Sequence, residues 1–305
     1  MKSVLVVGNN CVDVVFTTSQ PLLADAKIQA SGLGVFAGGQ AANAAVDMVG
    51  LGVRTRYFGA FGADAFGETS RRAFEQRGVG LEGSFAVPGC PHHTAAIIVD
   101  RTHDTRSIVM SKDARLRLDD CAADRVSLEG VGLLYLDGHE LGISRKLAAL
   151  ARARGIPVMA DAEDASSETA ALLPHLTSLI APREVILALG RSSDVVTAAR
   201  TLFADGPAVV VATMGAQGAE GVTASGEHQR VPAVPCEVVD TTGAGDAFHA
   251  GYVAAALRGS RFAACIEFAA RVAAAKCETS GPTVAVARLA ALARELPPAG
   301  AGAWI

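Results

Sequence analysis

The chain has 305 residues, 50% of them hydrophobic, with 27 basic against 31 acidic side chains. That length can bury a substantial core, and the near balance of charge, without a basic stripe or a run of like charge, argues against nucleic acid or an anionic membrane as partner. Residues Met1 to Val7 reach Gly8-Asn9-Asn10 too soon for a signal peptide, and no apolar run would span a bilayer, so a cytoplasmic location is expected.

In chain order, Ser3 to Val7, Thr55 to Phe61, Leu133 to Leu136, Pro157 to Ala160, Ser178 to Ala181 and Ala208 to Ala212 are strand-like. Helical patterns at Gln40 to Val49, Ala65 to Arg77, Ser144 to Arg154 and Val195 to Phe203 lie among them. Strand, helix, strand predicts an α/β fold with a parallel sheet covered on both faces and with its binding site at the carboxyl ends of the strands. Two stretches break the rhythm, 12–37 and 85–111; in the second, Thr94 to Val99 and Arg106 to Met110 predict a hairpin around Asp100 to Asp104. His92-His93 is a poor metal pair, because adjacent residues of a strand point to opposite faces. The six cysteines, Cys11, Cys90, Cys121, Cys236, Cys265 and Cys277, have no zinc-like spacing and read as reduced thiols. The tail from Pro297 to Gly302 is expected to be loosely held.

The most informative segment is Asp240-Thr241-Thr242-Gly243-Ala244-Gly245-Asp246, between a stretch that reads as a strand, Val231 to Val239, and one that reads as a helix, Ala247 to Leu257. Two glycines let a ligand approach the backbone, free N–H groups at the helix start point towards it, and the helix dipole favours negative charge there. An Asp before an apolar helical run is most often a plain N-cap. Here the glycine pair makes an anion site instead, and a carboxylate beside transferring phosphate makes sense as the acceptor of a proton from the attacking hydroxyl. The dipole would keep that carboxylate ionised and weakly basic. Gly8-Asn9-Asn10-Cys11-Val12-Asp13 has too few glycines for a dinucleotide fingerprint, and no P-loop Gly-Lys-Ser/Thr occurs.

Residues Asp240 to Phe248 resemble the C-terminal signature of the ribokinase-like (PfkB) carbohydrate kinases. Gly38-Gly39-Gln40-Ala41-Ala42-Asn43 with Gly50-Leu51-Gly52 resembles their N-terminal motif, and Thr213 to Gly218 their turn beside the adenine nucleotide. The resemblance implies a three-layer α/β/α sandwich with a small β-sheet lid, one domain over 1–305 with lid segments at roughly 12–37 and 85–111. It implies ATP and Mg²⁺, a free sugar as acceptor, and a homodimer formed through the lid. Asp246 would be the base, with the N–H groups of Gly243, Ala244 and Gly245 stabilising the phosphoryl group. Asp13, Gly38, Gly39 and Asn43 would hold sugar hydroxyls, and Lys27, in the first lid segment, could touch the substrate. Thr213, Gly215 and Gly218 would line the nucleotide side. Asp240 and Thr242, with Gly281 nearby, match a monovalent-cation site that could take K⁺.

One departure stands out. Where many members carry Asn-x-x-Glu, this chain has Ala181-Pro182-Arg183-Glu184, so Glu184 is the carboxylate left to handle Mg²⁺ through water. With Phe248-His249 and Ala275-Lys276-Cys277, this is similar to a ketohexokinase- or sulfofructose-kinase-like branch. The expected function is transfer of the ATP γ-phosphate to a primary hydroxyl of a small free monosaccharide, ribose-, ketose- or sugar-acid-like, rather than of a sugar phosphate. The alternatives are a nucleoside kinase of the same fold and a non-catalytic sugar- or nucleotide-binding regulatory protein.

Overall fold

The computed structural model describes residues 3–25, 27–103 and 105–300. Its main sheet has eight strands in the order β14-β13-β12-β11-β10-β9-β1-β4. From one end these are β14 (His228–Val231), β13 (Ala219–Thr223), β12 (Val209–Thr213), β11 (Ser178–Pro182), β10 (Val158–Asp161), β9 (Val131–Leu136), β1 (Ser3–Val7) and β4 (Thr55–Phe58). The run from β12 to β4 is parallel, and β13 and β14 close the far end antiparallel.

Central strands of such a sheet must be apolar on both faces, because successive side chains point to opposite sides. Val4 and Val6 enter one core with Leu133, Tyr135 and Ile180, whereas Leu5 and Val7 enter the other with Leu134, Leu136 and Leu179. The first core is covered by α1 (Gln40–Gly50), α7 (Ala244–Leu257), α8 (Phe262–Cys277) and α9 (Val286–Arg294). The second is covered by α3 (Leu141–Ala153), α4 (Ser167–Leu172), α5 (Arg183–Leu189) and α6 (Val195–Asp205). Each wholly buried Val, Leu or Ile contributes about 1.5–3 kcal/mol relative to exposure, so these two layers dominate stability.

A second sheet, of order β3-β2-β7-β8, is built from β2 (Cys11–Thr18), β3 (Gly32–Gly38), β7 (Thr94–Asp100) and β8 (Thr105–Ser111). The expected hairpin is its β7–β8 arm, with Val99 opposite Arg106; Asp104 lies outside the described residues. A small pair, β5 (Ala60–Gly62) with β6 (Phe85–Val87), flanks α2 (Ala65–Arg77), which is capped by the Asp64 carboxylate at its start and by Gly78 at its end.

Several expectations are corrected. The strand expected over Val231 to Val239 stops at Val231, and 232–239 is irregular; Pro232 and Pro235 there lack the N–H that a ladder needs. The run Thr55 to Phe61 splits at Gly59 into β4 and β5. His92 and His93 precede β7 rather than alternating within it, and their rings lie at 24° with centroids 6.5 Å apart. The tail is pinned as far as Gly300, whose N–H donates to the Gly259 carbonyl at 2.6 Å, while residues beyond it lie outside the described ones. Among the described residues no helix is long and apolar enough to cross a membrane.

Candidate active site

The helix α7 begins at Gly243, whose φ of 78° is left-handed. A Cβ there would sit 1.9 Å from the Pro282 carbonyl oxygen, so both conformation and space require glycine. No side chain caps this helix. Of the three amides expected to face phosphate, that of Ala244 donates to the Thr241 carbonyl at 3.2 Å, whereas those of Gly243 and Gly245 have no protein acceptor among the described residues. The open space around Gly245 matches an anion site at this helix start.

Asp246 lies in the first turn of α7 and is 6% exposed. It is not an N-cap. Its Oδ2 accepts the Asn43 side-chain N–H at 2.7 Å, a bond that spans 203 residues and joins the two motifs. Asn43 is 5% exposed on α1. Burial raises the Asp246 pKa to about 7; the Asn43 bond opposes the rise, and the nearby Asp161 carboxylate adds to it. The expectation of an ionised, weakly basic carboxylate is thus corrected, because desolvation outweighs the dipole.

The helix α1 starts at Gly39, with φ 101°, where a Cβ would lie 2.6 Å from the Asn9 carbonyl oxygen. One residue earlier, a Cβ on Gly38 would fall 2.5 Å from Asp13 Oδ2, so the glycine leaves room for that carboxylate. Asp13 comes from β2, its Oδ1 receives the Cys11 thiol at 3.3 Å, and burial raises its pKa. Together with Arg101, Arg106, Thr241 and Thr242 it lines a cavity of about 440 Å³ between the second sheet and the loop before α7.

Thr213, Gly215 and Gly218 line a second cavity, of about 610 Å³, that also reaches Ala244 and Gly245. Its other wall is apolar, from Phe248 and from Ala270, Ala273 and Ala274 of α8. The expected nucleotide residues and the glycine turn are therefore brought to one space.

Other expected residues are placed differently. Lys27 is exposed in the segment between β2 and β3, and it lines none of the cavities described here. Glu184 is exposed on the first turn of α5. Asp240 is turned inward: its carboxylate accepts the Thr242 and Gly281 N–H groups at 2.9 and 3.0 Å. The buried Lys276 ammonium donates to the carbonyls of Asp240 and Thr279 at 2.7 and 3.1 Å, so an internal cation already ties the 240 loop to the 279 loop.

A buried polar floor beneath Asp246 was missed. Asp137, fully buried after β9, accepts the N–H groups of Asn9, Ala41 and His139. Asp161 ends β10, and burial lifts its pKa well above the carboxylate range. His249 places Nδ1 at 2.7 Å from the Gly245 carbonyl and 3.6 Å from Asp161 Oδ2, with Nε2 at 3.2 Å from the Ile180 carbonyl. It thus ties the first turn of α7 to β11. Carboxylates directly after apolar strands Leu133 to Leu136 and Pro157 to Ala160 were the available signal, since parallel sheets place their sites there.

The pfkB family carbohydrate kinase model matches residues 1–288. The chain belongs to that family. It is an enzyme, a kinase that transfers a phosphoryl group to an alcohol. A nucleoside kinase of Methanothermobacter thermautotrophicus is 27% identical over 252 residues, covering 80% of this chain and 79% of that one. A ribokinase of Bacillus subtilis is 25% identical over 277 residues, covering 90% and 92%. The fold is ribokinase-like: Arabidopsis thaliana ribokinase complexed with ribose and ATP superposes with a TM-score of 0.84 at 22% identity, over 96% of this chain and 99% of that one. A putative ribokinase II of E. coli in complex with ATP and Mg²⁺ gives 0.82 at 20% identity, over 97% and 100%.

Proposed function

We propose that this kinase transfers the γ-phosphate of ATP to a primary hydroxyl of a small free monosaccharide, of ribose, ketose or sugar-acid type. The observation that carries this reading is the 2.7 Å bond from Asn43 to Asp246, which holds a buried carboxylate that would accept a proton between the Gly38-Gly39 turn and the Gly243 to Gly245 turn. A protein that only bound its ligands would need no proton acceptor beside the turn that faces phosphate.

The 610 Å³ cavity would take an adenine nucleotide, with α8 alanines to pack against a base and the free Gly245 amide at one end to meet phosphate. Bound ATP with Mg²⁺ would supply the phosphoryl group and offset its charge. No cluster of three or more metal-binding side chains exists among the described residues, which suits an ion that arrives on the nucleotide and keeps most of its water. Glu184, exposed at the start of α5, would be the carboxylate that orients that water.

Asp246 would accept the proton of the acceptor hydroxyl on Oδ1, while Asn43 holds Oδ2 and fixes the carboxylate plane. The amides of Gly243 and Gly245 would donate to the transferring group. Asp13, with the Gly38 and Gly39 amides, would grip other hydroxyls, which both donate and accept. The second sheet would act as the lid of a single domain, and a second copy would cover it: Leu33, Val35, Ile108, Val109 and Met110 are all exposed there. Because Lys276 already supplies a charge to the 240 and 279 carbonyls, K⁺ would add little. A cytoplasmic enzyme would meet ATP directly.

The nucleoside kinase relative supports a second reading on the same chemistry. Steady-state ATP turnover over a panel of free sugars and nucleosides separates the two. Turnover with sugars and none with nucleosides supports the first, the converse the second, and none with either overturns both.

A further inference from the structure

Next to the Gly38-Gly39 turn lies a third cavity, of about 310 Å³, that the reading above does not use. It is lined by His93, Lys112, Arg117 and His139, with Asn9 and Glu140 beside them. The four basic side chains come from separate stretches: the approach to β7, the segment after β8, and the turn after β9.

Asn9 connects this cavity to the acceptor site. Its carbonyl packs against Gly39 and its N–H donates to Asp137, which also holds Ala41 at the start of α1. The His93 carbonyl bonds the N–H of Val12, the residue before Asp13. A group in the cavity therefore sits beside the place where Asp13 and Gly39 would hold a sugar.

The charges in the cavity do not balance. Asp113, also on the wall, is engaged by Arg115. Glu140 Oε2 accepts the Leu118 N–H at 3.0 Å, and burial pushes its pKa to about 7, so it is only partly ionised at neutrality. Neither Lys112 nor Arg117 has a carboxylate within ion-pair distance among the described residues. Solvated surface cations normally spread apart. His139 is paired with Glu163 at 3.1 Å and burial lowers the His93 pKa, so the exposed Lys112 and Arg117, which share the recess with Glu140, are the two cations left to meet an anion there.

We infer that this cavity is a subsite for an anionic substituent of the acceptor, so that the substrate is a monosaccharide bearing a carboxylate or sulfonate remote from the hydroxyl to be phosphorylated. This rests on the sugar-kinase reading and narrows it. Arg117 supplies a planar fork and Lys112 a point charge, the two standard partners of such groups.

The test compares kcat/KM for neutral sugars with that for their carboxylate and sulfonate counterparts, in the wild type, Arg117→Gln and Lys112→Gln. Loss of one charge-assisted contact lowers affinity roughly 10- to 100-fold. The expected result is a wild-type preference of at least about tenfold for one anionic class, reduced about tenfold or more in each variant through KM with kcat kept. The class preferred identifies the substituent. Preference for neutral sugars, or variants that leave the anionic-to-neutral ratio unmoved, overturns the subsite.

A panel in which only nucleosides turn over overturns the sugar-kinase reading, and with it a sugar-bound anion. An independent readout uses inorganic sulfate at fixed ionic strength. Sulfate should raise the melting temperature of the wild type more than that of the double variant Lys112→Gln/Arg117→Gln, and equal rises would contradict an anion subsite even in an active kinase.

Discussion

The two sides of the site are held in different ways. On the phosphate side, residues 246–256 of α7 are all buried between the sheet and α8, and the ligand would meet backbone and alanine. On the sugar side, Asp13 and its neighbours sit on a four-stranded sheet whose outer strand β8 is exposed along its whole length. On the proposed reading, the packed side would carry the transfer chemistry and the exposed sheet the choice of acceptor. Changes on the first side should therefore strike kcat, and changes on the second should strike KM.

The largest expected effect is that of Asp246→Asn. Loss of a general base typically costs 10²–10⁴-fold, so kcat should fall about a hundredfold or more. Stability should move the other way. With a pKa raised by folding, Asp246 favours the fold while protonated, and this contribution is lost as pH rises from the unfolded value through about 7. Asparagine never ionises and keeps the Asn43 bond, so the variant should melt at a higher temperature than wild type at pH 8, with a gain that shrinks as pH falls and vanishes only below the unfolded value of 3.8. A variant with normal kcat would break the contrast between the two sides at once.

Asp13→Ala sharpens the contrast from the sugar side. Removing a hydrogen-bonding carboxylate should raise KM for sugar roughly 10- to 100-fold while KM for ATP stays within about twofold. Equal shifts in both, read from a two-substrate kinetic matrix, would make Asp13 structural.

How much of this was legible depended on range. The glycine turn and its Asp were readable because backbone geometry at a helix start restricts the residues that fit, and Gly243 cannot be replaced against Pro282. The parallel strands were readable as apolar runs. Asp137, Asp161 and His249 were not, since a polar residue after an apolar strand also reads as an ordinary turn. Only the packing of α1 and α7 reveals that these groups are buried. The same long-range burial raises the Asp246 pKa to about 7, against the ionised carboxylate expected at a helix start. The 440 Å³ and 310 Å³ cavities depend on β2 pairing with both β3 and β7, a topology that no local pattern specifies.

Smaller effects belong at the margin of the phosphate side. Glu184→Gln should shift the Mg²⁺ dependence of the rate a few-fold to higher concentration, with KM for sugar unchanged, because an exposed carboxylate acting through water contributes about 1 kcal/mol or less. An unchanged Mg²⁺ titration would remove Glu184 from the site. Smallest of all, replacing K⁺ by a bulky organic cation at fixed ionic strength should change the rate by less than about twofold, since Lys276 already bridges the two loops. A tenfold loss would show that the internal ammonium does not substitute for a bound ion.

The most direct test of Asp246 as a buried base tuned to neutrality is the pH dependence of kcat/KM between pH 5.5 and 8.5, with a non-ionising sugar and saturating Mg-ATP. A base must be deprotonated to act, so kcat/KM should climb tenfold per pH unit below an apparent pKa of about 7 and level off above it. The residual activity of Asp246→Asn should lack that inflection. A wild-type profile flat down to pH 5.5, or an inflection that survives in Asp246→Asn, would contradict the assignment.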